Sequence, residues 1–241
     1  MLPLDITEAR AEVVLEGNVE MLPLRLLTPD LLRRSTPVRT FRWHKGQAHF
    51  PGMYWSAKVR SFIGYESRLE MTRLMLADFD PHVSEIWSQP FRLISVDDDG
   101  RTRRHVPDFA IWGDSRDALH IVNVKPADRL ADPKIAAALQ WAHSVMGEAG
   151  FTTEVWSGAD PVFLTNVRWV AGYRNPDLID QGAVAAACEI VRNPTVWRDA
   201  ERALAGIAAT PRAILLHAVW RNLMKCDLEQ PLSMETMLRC P

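Results

Sequence analysis

Apolar positions change their spacing several times along this 241-residue chain, and each change marks an expected element. From about residue 65 the spacing is helical. Leu69, Met71, Leu74, Met75 and Leu76 supply the apolar side of a run that ends near Asp78 to Pro81, because Pro81 disfavours helix at Asp80. Ser67 and Glu70 spell a capping box at its start, in which a serine hydroxyl and a glutamate three residues on satisfy free backbone donors. Residues 85–96 and 102–112 then read as two strands joined by the turn Asp97-Asp98-Asp99-Gly100. A short apolar strand follows at 118–124. Asp132-Pro133 opens a helix in which Ile135, Ala138, Leu139, Ala142, Val145 and Met146 share one face. Residues 152–156 read as a strand and 161–170 as a strand or short helix. Beyond Asn175-Pro176 the texture changes to alanine-rich helices over 179–192, 195–207 and 211–225.

The order of these elements predicts an α/β chain. The expected domain spans 41–174, with a mixed sheet flanked by helices. An arm of short strands over 1–40 precedes it, where Pro3, Pro23 and Pro29 interrupt any long helix. A small helical, winged-helix-like domain over 175–241 follows. At 47% hydrophobic composition the chain can bury a real core. No apolar run approaches the ~20 residues of a membrane span, so no membrane contact is expected and the cytoplasm is the expected compartment. Cys188, Cys226 and Cys240 are odd in number and far apart, so they predict reduced thiols rather than a disulfide framework or a zinc ribbon.

Candidate chemistry concentrates between residues 66 and 125. Side chains alternate along a strand, so Asn123 and Lys125 share a face, and Asp108 can meet that face at neighbouring strand ends. Glu70 and Asp108 supply two carboxylates, and Lys125 supplies an ammonium. Magnesium takes oxygen ligands, usually one or two carboxylates completed by water and phosphate oxygens. A lysine beside it can orient water or share the charge that builds on phosphorus. The set therefore suits metal-assisted phosphodiester hydrolysis. If Glu70 is only a cap, Glu66, four residues earlier on the same face, is the substitute ligand.

At these positions the sequence resembles a known family. Glu70, Pro107-Asp108 and Asn123-Val124-Lys125 resemble the PD...(D/E)xK nuclease signature. The words Tyr65-Glu66-Ser67-Arg68-Leu69-Glu70, Leu76-Ala77-Asp78-Phe79-Asp80-Pro81, Ser88-Gln89-Pro90 and Val124-Lys125-Pro126 are similar to the TnsA endonuclease subunit of heteromeric bacterial transposases. The resemblance implies a restriction-endonuclease-like fold with Glu70, Asp108 and Lys125 as catalytic residues. It implies Mg2+, with Mn2+ as a substitute, held by Glu70, Asp108 and Asn123. The last is an amide where the broader signature has a carboxylate, so it offers a neutral oxygen. It also implies cleavage at the 5′ ends of a mobile element, beside a strand-transfer transposase subunit and an ATPase regulator.

The net charge of −2 argues against a nucleic-acid binder, but its distribution does not. From Leu31 to Tyr65 there is no Asp or Glu, while Arg33, Arg34, Arg39, Arg42, Lys45, Lys58 and Arg60 alternate with aromatic residues. Cations neutralise phosphates and aromatics stack on bases. The expected double-stranded DNA surface comprises Arg42, His44, Lys45, Lys58 and Arg60, with Arg103 and Arg104 near Asp108. Arg101, Arg103 and Arg104 equally suit a simple balance of Asp97 to Asp99. No HExxH pair, nucleophile elbow or Walker loop occurs. Two rival functions keep the same residues: a stand-alone restriction or defence nuclease, and a non-catalytic DNA-binding assembly subunit.

Overall fold

The computed structural model describes residues 9–39, 50–97, 99–114 and 119–241. They form two compact units. One holds the chain up to Ala77 with His82–Gly158, and the other holds Asp78–Pro81 with Ala159–Pro241.

The first unit begins with β1 (Arg10–Leu15), β2 (Asn18–Pro23), α1 (Pro29–Arg33), β3 (Ser35–Thr36), β4 (Gly52–Ser56), β5 (Ser61–Tyr65) and α2 (Arg68–Phe79). It continues through β6 (Glu85–Ser88), β7 (Arg92–Val96), β8 (Thr102–His105), β9 (Phe109–Trp112) and β10 (His120–Val124). It closes with α3 (Ala127–Leu130), α4 (Pro133–Glu148) and β11 (Thr152–Trp156). One sheet has the antiparallel order β2-β1-β7-β8, with β3 also on β1. A second has the order β11-β10-β9-β6 and is mixed: β10 and β11 are parallel and the other pairs antiparallel. β4 and β5 form a separate hairpin.

Alternation builds the core of this unit. Ala11, Val13 and Leu15 of β1 point inward, and they cluster with Leu93, Ala110, Ile121 and the α4 residues Ala142, Val145 and Met146. The two-residue β1–β2 loop is Glu16-Gly17, both at positive φ (52° and 84°), as a tight type I′ hairpin requires.

The expected strand pair 85–96 and 102–112 is corrected. Each half divides: β6 and β9 belong to the mixed sheet, β7 and β8 to the antiparallel one. Pro90 and Pro107 sit at the two breaks, where a residue without an N–H cannot continue a ladder. The acidic turn does join β7 to β8. Asp97 Oδ1 accepts the N–H groups of Asp99 and Arg101 at 3.1 and 2.8 Å. The separate arm expected over 1–40 is also corrected, because β1 pairs with β7 through Arg10↔Ile94, Ala11↔Leu93 and Glu12↔Arg92. Its short strands complete a sheet.

The second unit contains α5 (Pro161–Ala171), α6 (Gln181–Ile190), β12 (Thr195–Val196), α7 (Trp197–Leu204), α8 (Pro211–Trp220) and β13 (Met237–Leu238). The expected boundary at 174/175 moves to 158/159. The reason is local: Asp160 caps the N–H groups of Val162 and Phe163 at 2.8 and 3.1 Å, so residues 161–171 become a helix. α8 is buried from Ile214 to Trp220 at the centre of this unit. Among the described residues no helix is long and apolar enough to cross a membrane.

Candidate active site

The site is assembled where α2 starts, β9 starts and β10 ends. The capping box forms as the sequence spells it. The Glu70 N–H donates to Ser67 Oγ at 3.1 Å, the Ser67 hydroxyl donates to Glu70 Oε1 at 2.9 Å, and the Glu66 N–H donates to Glu70 Oε2 at 2.7 Å. These contacts draw the Glu70 carboxylate inward, to 9% exposure.

Asp108 lies one residue before β9. Its N–H donates to Val122 O at 3.1 Å and its C=O accepts the Gln89 N–H at 2.9 Å. Its Oδ2 accepts the Val124 N–H at 2.6 Å, a donor beyond the last β9–β10 register pair, Phe109↔Val122. The carboxylate is thereby pinned beside Asn123-Val124-Lys125. Lys125 is fixed from the other side, its N–H donating to Trp156 O at 3.0 Å.

The charges at this point are not balanced. Burial, then the Asp108 charge, pushes the Glu70 carboxyl up to about 7, against the lowering effect of its cap hydrogen bonds; Glu66 adds to the rise. Burial also raises Asp108, opposed by the Val124 N–H, Lys125 and Arg39. Three sequence-predicted groups, Glu70, Asp108 and Lys125, therefore share one electrostatic neighbourhood. Glu66 joins them, its charge acting on both carboxyls.

Asn123 has other work. It is 1% exposed, its Oδ1 lies 2.6 Å from His105 Nε2, and its Nδ2 lies 3.1 Å from His143 Nε2. Burial lowers His105 to about 4 and lowers His143, so both rings are neutral near pH 7; one donates to the amide oxygen and the other accepts from the amide nitrogen. The oxygen expected to face a cation thus has a histidine as one partner. Among the described residues no three His, Cys, Asp or Glu side chains gather into a metal cage. The donor set is the carboxylate pair. It fits a hard divalent cation, because each Glu70 oxygen keeps a lone pair beyond its cap bond and burial disfavours both carboxylates until a further cation is added.

The expected DNA-contacting residues divide. Arg42, His44 and Lys45 lie outside the described residues. Lys58 and Arg60 occupy the β4–β5 turn, with Arg60 exposed at φ 50°. Arg103 is committed to Asp97 at 2.5 Å, and its neighbour Arg101 approaches Asp99 at 3.5 Å, so these two balance the acidic turn. Arg104 is exposed on β8. Within the acid-free segment, Arg33 binds Glu85 and Asp30, and Arg34 binds Glu16 at 2.9 Å. The segment does supply a group not assigned to the site: Arg39 lies 3.9 Å from Glu66, and its charge reaches Asp108 and His105. Its position in a run of cations without acids was the available signal. Arg68, in the first turn of α2, stacks over the exposed Phe50 ring at 4.4 Å.

No protein-family model matches the chain, and no curated protein matches it significantly.

Proposed function

We propose that the chain is a metal-dependent DNA endonuclease that hydrolyses phosphodiester bonds at the Glu70, Asp108 and Lys125 site. The carrying observation is the placement of two carboxyls, both raised, next to a lysine at the end of a mixed sheet. A protein that needed these groups only for folding would gain by compensating them; leaving them in excess suits a site completed by a cation and a phosphate. Glu70 and Asp108 would hold the magnesium, with Asn123 behind them as a clamped spacer. When bound, that ion supplies charge neutralisation at phosphorus and acidifies water.

The protein's own contributions follow from position. Lys125, its backbone anchored to β11, offers an ammonium to a non-bridging phosphate oxygen, and Arg39 offers a second cation near Glu66. In the net step a water oxygen bonds to phosphorus and the bond to the leaving ester oxygen breaks. That oxygen departs as a hydroxyl, its proton drawn from water. The resemblance to TnsA supports a restriction-endonuclease-like nuclease domain, a winged-helix-like second domain, cleavage at the 5′ ends of a mobile element, and partnership with a transposase subunit and an ATPase regulator. Nicking of end-labelled duplex DNA, with those partners added, tests the reading. Cleavage should require magnesium or manganese and vanish in Asp108→Ala. Cleavage that survives Asp108→Ala removes the site, and DNA binding without cleavage under any divalent metal favours a non-catalytic assembly subunit.

A further inference from the structure

Gln89 carries two unexplained costs at one residue. Its backbone has φ 44°, in the left-handed region that non-glycine residues avoid. Its side chain is 3% exposed, and Oε1 has no hydrogen-bond partner among the described residues. A buried acceptor left without a donor is destabilising. Both costs fall beside the carboxylate pair. Gln89 continues the β6–β9 register Ser88↔Phe109 by one residue, which sets it across from Asp108, and its N–H donates to Asp108 O at 2.9 Å. Its own C=O accepts the Val38 N–H at 3.1 Å, the residue before Arg39. One strained residue thus ties Asp108 to the bend after β3 that carries Arg39.

Neither Pro90 nor the ladder explains this arrangement. A glycine would adopt the same φ without strain, and an apolar side chain would fill the space without an orphaned oxygen. What glutamine adds is a buried acceptor on the residue whose N–H holds Asp108 O. Backbone strain of this kind concentrates where a side chain must be presented to a reaction.

We infer that Gln89 is a further residue of the hydrolytic site, whose amide oxygen receives an O–H of the water that attacks phosphorus. This rests on the nuclease reading. Water is a donor the reaction brings, and a positioned acceptor fixes the direction of its lone pair toward phosphorus. No proton transfer to Gln89 is involved, since an amide oxygen only orients.

The test compares Gln89→Gly and Gln89→Leu with the parent protein in melting, DNA affinity without metal, and steady-state cleavage with partners present. Gln89→Gly relieves the φ strain and Gln89→Leu removes the orphaned oxygen, so both should melt at or above the parent temperature. Both should lose about 10- to 100-fold in kcat, with KM and metal-free DNA affinity unchanged. A Gln89→Gly protein that cleaves at the parent rate overturns the inference while leaving the nuclease reading intact. So does melting well below the parent in both variants, which assigns the amide to structure. If the parent itself never cleaves while Asp108→Ala binds DNA equally well, the nuclease reading fails, and the inference with it.

Discussion

Two acidic clusters lie along one helix of the first unit, and they end in opposite electrostatic states. At the start of α2, Glu70 is pushed up to about 7 by burial and by Asp108. One turn further on, Arg73 reaches Glu154 of β11 with paired bonds of 3.2 and 2.8 Å, and His120 Nε2 lies 2.8 Å from the same carboxylate. Burial opposes ionisation there too, but His120 and Arg73 overcome it and hold Glu154 at about 2. The same helix thus places a cation where a carboxylate is structural and places none against Glu70. Compensation was available and was used selectively. That contrast is the support the proposed function draws from electrostatics.

The largest effect should come from removing the lysine whose charge bears most on Asp108. Lys125→Ala should lower cleavage by about 10³-fold while the melting temperature stays within a few degrees, measured on labelled duplex and by calorimetry. Melting that collapses along with activity would make Lys125 structural.

The compensated cluster should respond in stability instead. Arg73→Met leaves the half-buried Glu154 with His120 as its remaining partner and should cost about 2 kcal/mol, while Arg73→Met with Glu154→Leu should recover most of it. Urea unfolding measures both. An additive double variant would show that the pair is not coupled.

The two clusters should also give opposite slopes of stability against pH. Glu154 is lowered, so its contribution is complete above its ordinary value of 4.5 and is lost as pH falls toward about 2. Glu70 is raised, so its contribution is complete below 4.5 and is lost as pH rises through about 7. The latter corresponds to at most ~3 kcal/mol in metal-free protein. Glu70→Gln, which keeps acceptor and donor groups for the cap, should flatten the loss between pH 4.5 and 7. A curve unchanged by Glu70→Gln would place the titrating group elsewhere.

How far the sequence alone reached follows from the kind of interaction involved. The capping box, the Asp97 turn and the α4 face depend on residues within a few positions of each other, and their spacing was enough. The division of two expected strands into four was not legible in their apolar pattern, because both sheets demand the same alternation; only Pro90 and Pro107 signalled it. Helix α5 was ambiguous until Asp160 was seen to cap it. Within the site, the meeting of Asp108 with the end of β10 was anticipated from side-chain alternation. The engagement of Asn123 was not, since His105 and His143 are 18 and 20 residues away and only the fold brings them to the amide.

The smallest expected effect concerns the DNA surface. Arg33 and Arg34 are engaged in ion pairs, and about three phosphate contacts from elsewhere in the acid-free segment would weaken binding by one to two orders of magnitude between 50 and 200 mM salt. Replacing Lys58 and Arg60 with Gln should lower the salt slope by about 1.8. An unchanged slope would move the surface away from the β4–β5 turn.

The most direct test of the contrast is a carboxyl-carbon NMR titration that follows Glu70 and Glu154 in the same metal-free sample. Glu154 should stay ionised down to about 2, while Glu70 should titrate near 7 and fall toward its ordinary range in Asp108→Asn or when magnesium and duplex DNA are added together. A Glu70 that titrates in the ordinary carboxylate range, indifferent to Asp108 and to magnesium with DNA, would contradict the account.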